Sequence, residues 1–349
     1  MVRLPIDATA FDILDSRVIN VSAYHEPDTV LEPTRNSIDV PVRLEVALVR
    51  ELEVAHASGT AVAVVAHALP YQWANACHDL FEAGRLDVLE FAVRHLHAIY
   101  PDLTYLTTLR AFFDAIPRHL PAPLDFCEDP TAEIQVVRRP DCDKVLLCFC
   151  ACQGTLGLPV NLIHQWLGRS PASLVYIKDL RNLWGGCGFP TLGPDRASAV
   201  AAFRRIADQA GGKRIYTLGV SHGGYAALYY GLELEAVAVL NLAGATDLTP
   251  DFVESLGPIP QEYLNLRELA PEYTVKLRDS YASAPHKPHV LLAYSAEHPR
   301  DRRQAQRMAG LPNVELVAVD HAQHNAIDPL IRNREFMPLL QRLLSIGIA

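Results

Sequence analysis

From Thr131 onward the chain alternates short, β-rich apolar runs with amphipathic stretches, and this alternation limits the possible folds more than any other feature. The runs are EIQVV, KVLLCFC, SLVYIKD, RIYTLGV, AVAVLNLAG, HVLLAYS and VELVAVD, and helices fit between and after them at 159–168, 195–210, 223–233, 301–310 and 326–346. Strands that are apolar on both faces need cover on both faces. The pattern therefore predicts an α/β fold, a mostly parallel sheet with helices on either side. EIQVVRRPDCDKVLLCF, with its Pro140-Asp141 turn, predicts an antiparallel hairpin at the start of the sheet. The Pro-punctuated segment from about 245 to 286 breaks the alternation and is expected to form a cap or insertion over one end of the sheet.

The region before this reads as helical. LEVALVRELEVAHASG and YQWANACHDLFEAGRLDVLEFAVRHLHAIYPDLTYLTTLRAFFDAIP carry apolar residues at three-to-four spacing, punctuated by Gly84 and Pro101. AVAVVAHALP, between the two runs, fits either a strand or part of a helix. The Pro-rich joint HLPAPLDFCEDP, 119–130, separates a helical N-terminal domain, 1–125, from the α/β domain, 126–349. Residues 70 to 115 resemble a tetratricopeptide helix pair, with an aromatic-rich first helix, a Gly84-Arg85 turn, Ala92 on the second helix and a closing Pro101; an ordinary helical hairpin fits equally. An array needs about three such units, so this part is expected to dock on the α/β domain and to bury Trp73, Phe81, Leu89 and Phe113.

The 349 residues exceed what one ordinary core of about 150 absorbs. Half are hydrophobic and 20% are charged, which excludes disordered and collagen-like classes. The net charge of −9, with cations that are mostly Arg and form no run, excludes nucleic acid and anionic membrane as expected partners. MVRLPIDATAFDILDS lacks a continuous apolar core and no segment reads as a membrane span, so a cytoplasmic protein is expected. Seven cysteines, an odd number, fit reduced thiols. Cys148, Cys150 and Cys152 have the strand period and read as buried apolar thiols sharing one face. No metal-ligand spacing, GxGxxG or P-loop occurs, so neither metal nor cofactor is expected.

Gly219-Val220-Ser221-His222-Gly223 is a G-x-S-x-G, a pattern that composition alone would produce about 0.04 times. RIYTLGV runs into it as a strand and GGYAALYYGLEL leaves it as a helix, the setting of a nucleophile elbow. On these residues and the strand–helix order, 131–349 resembles the α/β-hydrolase superfamily.

The resemblance implies an acid and then a histidine following Ser221 in the chain, because a serine hydroxyl needs a base and the base needs a carboxylate to hold its tautomer. The base should follow VELVAVD, where His324, before NAIDPL, is preferred to His321. The acid should follow HVLLAYS, as Asp301 or, alternatively, Glu297; Asp301 also suits the N-cap of the next helix. An oxyanion hole would use the amide of His222 and one from the loop Gln153-Gly154-Thr155-Leu156-Gly157. LRNLWGGCGFPTLGP, 180–194, suggests a mobile flap that presents Trp184 and Phe189 to substrate, or a packed surface loop. The expected function is a serine hydrolase that cleaves a small-molecule or acyl-carrier-linked ester, thioester or amide. The alternatives are an acyltransferase on the same fold, and a non-catalytic scaffold whose N-terminal helices bind a protein partner.

Overall fold

The computed structural model describes residues 39–60, 68–193 and 195–347. MVRLPIDATAFDILDS and the run from Ala61 to His67 lie outside the described residues. The chain divides into two compact units, the first ending at Ile116 and the second spanning Pro117–Ala349. The division falls earlier than the expected 125/126 because the joint is tied to the second unit. The Leu124 N–H donates to the Gly168 carbonyl (3.0 Å), and the Pro121 carbonyl accepts from Arg169 Nη1 (2.6 Å).

In the first unit, helices α1 (Asp39–Ser58), α2 (Pro70–Glu82), α3 (Leu86–Ile99) and α4 (Thr104–Ala115) each pack on the next, and α1 also packs on α3. The hairpin between α2 and α3 turns at Gly84, whose φ of 69° favours glycine. Trp73, Phe81, Leu89 and Phe113 are all buried. Among the described residues no helix is long and apolar enough to cross a membrane.

The second unit is built on seven strands: β1 (Ile134–Val137), β2 (Lys144–Phe149), β3 (Ser173–Ile177), β4 (Arg214–Val220), β5 (Ala238–Leu242), β6 (His289–Ser295) and β7 (Val314–Val319). Their order is β1-β3-β2-β4-β5-β6-β7, and every pairing is parallel except β1 with β3. The expected β1–β2 hairpin does not form. β2 is apolar and buried from Val145 to Phe149 and needs a neighbour on both edges, which β3 and β4 supply. The half-polar β1, with Val136 exposed, takes the sheet edge instead.

Helices α5 (Val160–Leu167), α6 (Arg196–Gln209) and α7 (His222–Glu233) connect the first strands, and α11 (Pro299–Arg307), α12 (Ile327–Arg332) and α13 (Phe336–Ser345) complete the unit. The expected single helix over 326–346 is broken after α12, where Arg334 takes a positive φ of 62°. β2 stops at Phe149, so Cys150 and Cys152 lie beyond the strand and share no strand face with Cys148. Burial pushes the Cys150 thiol up to about 12, and all seven cysteines are free.

The insertion expected at 245–286 contains α8 (Pro250–Ser255), α9 (Gln261–Leu269) and α10 (Leu277–Ser283). Three fully buried tyrosines brace it, Tyr263 within the insertion and Tyr273 and Tyr281 to segments outside it. Tyr263 Oη donates to the Leu248 carbonyl (3.0 Å), Tyr273 Oη to that of Trp184 (3.0 Å) and Tyr281 Oη to that of Leu228 (2.9 Å). Each bond contributes about 1 kcal/mol, beyond what ring burial adds.

Candidate active site

β4 delivers the chain into a turn that only small residues permit. A Cβ on Gly219 would lie 2.0 Å from the Gly223 carbonyl oxygen, and one on Gly223 would lie 2.1 Å from that of Phe149 on β2. Between them Ser221 holds φ 51° and ψ −117°, a strained conformation that costs roughly 1–3 kcal/mol and lifts the hydroxyl out of the sheet. The Ser221 N–H donates to the Leu242 carbonyl of β5 (3.0 Å), which anchors the turn.

The loop after β7 brings His324 Nε2 to 2.9 Å from Ser221 Oγ. His324 Nδ1 lies 2.6 Å from Asp301 Oδ1, in the first turn of α11 after β6. Asp301 is not the N-cap of that helix; His298 occupies the cap, which frees the carboxylate for His324. A second imidazole reaches the same oxygen, His298 Nδ1 standing 2.9 Å from Asp301 Oδ1. Burial works to raise the Asp301 pKa, but hydrogen bonds from His298 and His324 outweigh it and hold the carboxyl below its usual value. A buried anion thus faces the imidazole that touches the serine.

The remaining sequence candidates fall out differently. Glu297 is exposed at the end of β6, and its N–H donates to the His321 carbonyl (3.1 Å). The imidazole at Ser221 is that of His324, while His321 contributes this carbonyl. The His222 amide opens α7 directly after Ser221. Its ring stacks on Trp184 at 4.0 Å and 18°, and burial, followed by the nearby His324, lowers its pKa to about 4, so it is neutral at pH 7.

Gln153 and Gly154 lie in a single tight turn, Cys152–Gly154. The Gly154 N–H is already given to the Ala151 carbonyl (3.2 Å), which removes Gly154 as an oxyanion donor. Beside this turn stands a part-buried ion pair, Lys178 Nζ to Glu128 Oε1 at 2.7 Å; the Cβ direction of Gly154 meets Lys178 Cδ at 3.1 Å.

The described part of the 180–194 segment, 180–193, is a packed loop rather than a flap. Asp179 Oδ2 accepts from the N–H groups of Leu183 (2.7 Å) and Gly185 (2.8 Å), and Tyr230 Oη donates to the Gly185 carbonyl (2.6 Å). Phe189 belongs to the core, edge-on to Phe203 and tilted against Tyr230, and does not face the serine. Trp184 does: with Leu248, Val253, Leu256, Pro260 and Tyr263 of the insertion it walls a cavity of about 80 Å³ that contains Ser221, His324 and Asp301. Sequence reasoning missed these insertion residues and His298. The only signal for His298 was its i, i+3 spacing to Asp301.

The strand order, the strained serine between β4 and α7, and the carboxylate and imidazole that follow β6 and β7 make this a fold of the α/β-hydrolase type. Similar solved structures include MenH from S. aureus, at 14% identity over 62% of this chain and 98% of that one, TM-score 0.41. Est816, an N-acyl homoserine lactone degrading enzyme, is 15% identical over 60% of this chain and 95% of that one, TM-score 0.43. An esterase from Pyrococcus furiosus is 13% identical over 65% and 99%, TM-score 0.41. No family model and no curated protein matches the chain.

Proposed function

We propose that the chain is a serine hydrolase that cleaves an ester, thioester or amide through an acyl-enzyme on Ser221. The observation that carries this reading is the unbroken line from Ser221 Oγ through His324 to the buried Asp301, at 2.9 and 2.6 Å. In this reading Oγ attacks the carbonyl carbon while His324 Nε2 takes its proton, and Asp301 stabilises the imidazolium that forms. The oxyanion faces the amide of His222 and a backbone N–H of the turn containing Gln153. His324 gives its proton to the leaving group as the bond between that group and the carbonyl carbon breaks, then takes one from a water that attacks the acyl carbon; the acyl–Oγ bond breaks and that proton returns to Ser221 Oγ. The His324 side chain is 42% exposed, so water reaches the base; this favours hydrolysis over transfer to another acceptor. The small, mainly apolar cavity suits a short acyl or alcohol group.

A fluorophosphonate probe tests the reading. A covalent adduct mapped to Ser221 by peptide mass spectrometry, and absent in Ser221→Ala, is the expected result. A folded protein without that adduct would overturn it and leave the non-catalytic scaffold.

A further inference from the structure

The reaction above needs one imidazole on Asp301, and the structure has two. His298 and His324 come from different segments, yet each aims Nδ1 at the same carboxylate oxygen, at 2.9 and 2.6 Å. The three donor atoms lie within 4.8 Å of one another. Both rings are accessible, with side chains 25% and 42% exposed, whereas Asp301 is 2% exposed. Its second oxygen, Oδ2, is buried without a hydrogen-bond partner.

We propose that His298, Asp301 and His324 form an inhibitory site for a zinc-like divalent transition metal. Two imidazoles and one carboxylate are a donor set that zinc takes with its fourth position left to water. Tetrahedral geometry with bonds of about 2.0–2.1 Å places ligand atoms roughly 3.3 Å apart, so admitting the ion withdraws both rings slightly from the carboxylate oxygen and sets their two nitrogens at that same spacing. The hard cations calcium and magnesium prefer oxygen ligands and are poorly served.

The inhibition follows from the tautomer and rests on His324 being the base of the proposed reaction. As the base, His324 carries its proton on Nδ1, toward Asp301, and leaves Nε2 free for the Ser221 hydroxyl. A metal on Nδ1 needs that lone pair, so the proton of the neutral ring resides on Nε2. The ring then only donates toward Ser221 and does not take its proton. The ion also occupies the carboxylate that would stabilise an imidazolium. No net proton is released, and no bond to Ser221 forms or breaks.

The test uses the full chain and two independent readouts. Equilibrium dialysis against Zn2+ alone is expected to find one ion held by both wild type and Ser221→Ala, with affinity at least about tenfold lower in His298→Asn. Asn keeps a hydrogen-bond donor for Asp301 but lacks the imidazole nitrogen, and His298→Ala serves as the second variant. Fluorophosphonate labelling of wild type should fall with Zn2+ and return with EDTA, while His298→Asn labels equally with and without the ion. Equal zinc binding in wild type and both His298 variants, or no binding at all, would overturn the site even if Ser221 proves reactive. Zinc bound through His298 without slowed labelling would overturn its inhibitory role. If Ser221 is not labelled under any condition, the hydrolase reading fails while dialysis still decides the metal site.

Discussion

Replacing Asp301 with Asn tests the acid at its closest contact. The substitution keeps the shape of the side chain and removes the charge that faces His324 Nδ1 at 2.6 Å. With the centres of the imidazolium and carboxylate charges about 4 Å apart, and an effective dielectric of about 20, their attraction is worth about 4 kcal/mol, or about 10³-fold in rate. Solvent at the 42%-exposed His324 screens part of this. The tautomer error acts the other way: an Asn amide N–H pointed at Nδ1 makes that nitrogen an acceptor and puts the proton on Nε2, a fault worth up to about 10⁴ where an acid serves this role. The expected result is a fall of about 10³-fold or more in the second-order rate of fluorophosphonate labelling, with a cooperative thermal transition retained by circular dichroism. A folded Asp301→Asn protein that labels within tenfold of wild type would refute the assignment of Asp301.

Ser221→Ala should fold and lose turnover of any ester substrate by about 10⁶-fold, read by spectrophotometric assay. His324→Ala should abolish labelling at neutral pH, whereas His321→Ala should change it little; the reverse outcome would misplace the base. Gly223→Ala would put a Cβ 2.1 Å from the Phe149 carbonyl oxygen, and urea unfolding should show a loss of about 3 kcal/mol or more because backbone on a central strand must move. His222 binds its proton more weakly when folded, with a pKa near 4 against 6.5. The stability of the neutral ring is therefore intact above 6.5 and lost as pH falls toward 4, by at most about 3 kcal/mol. His222→Gln should flatten that limb of the stability–pH curve, and an unchanged slope would show that other groups produce it.

Local pattern was legible where one strand's own chemistry decides its fate. RIYTLGV and HVLLAYS are strands β4 and β6 residue for residue, because a short apolar run that closes on a small residue at or next to its end has one reading in a covered sheet. Pairing was not legible, because a period of two says nothing about which neighbour a strand takes; hence β1 against β3. Ser221 and His324 could be placed from order along the chain. Asp301 and Glu297 could not be told apart, because what separates them is burial by elements distant in sequence. The same holds for Phe189, aromatic and loop-borne but drawn into the core by Phe203 and Tyr230.

The three tyrosines that brace the insertion all bind main-chain oxygens, Tyr263 at Leu248 within it and Tyr273 and Tyr281 at Trp184 and Leu228 outside it. A carbonyl is common to every amino acid, so these anchors are indifferent to the side chains at the positions they grip. Leu248 and Trp184 also line the cavity beside Ser221. Apart from the Tyr263 ring, which lines the cavity itself, the attachment of the wall and the shape of its inner surface are encoded by separate groups, and a directed library at Leu248, Val253 and Leu256 can recut the cavity while Tyr263 and Tyr273 keep their grip. Evolvability here is a property of where the hydroxyls point.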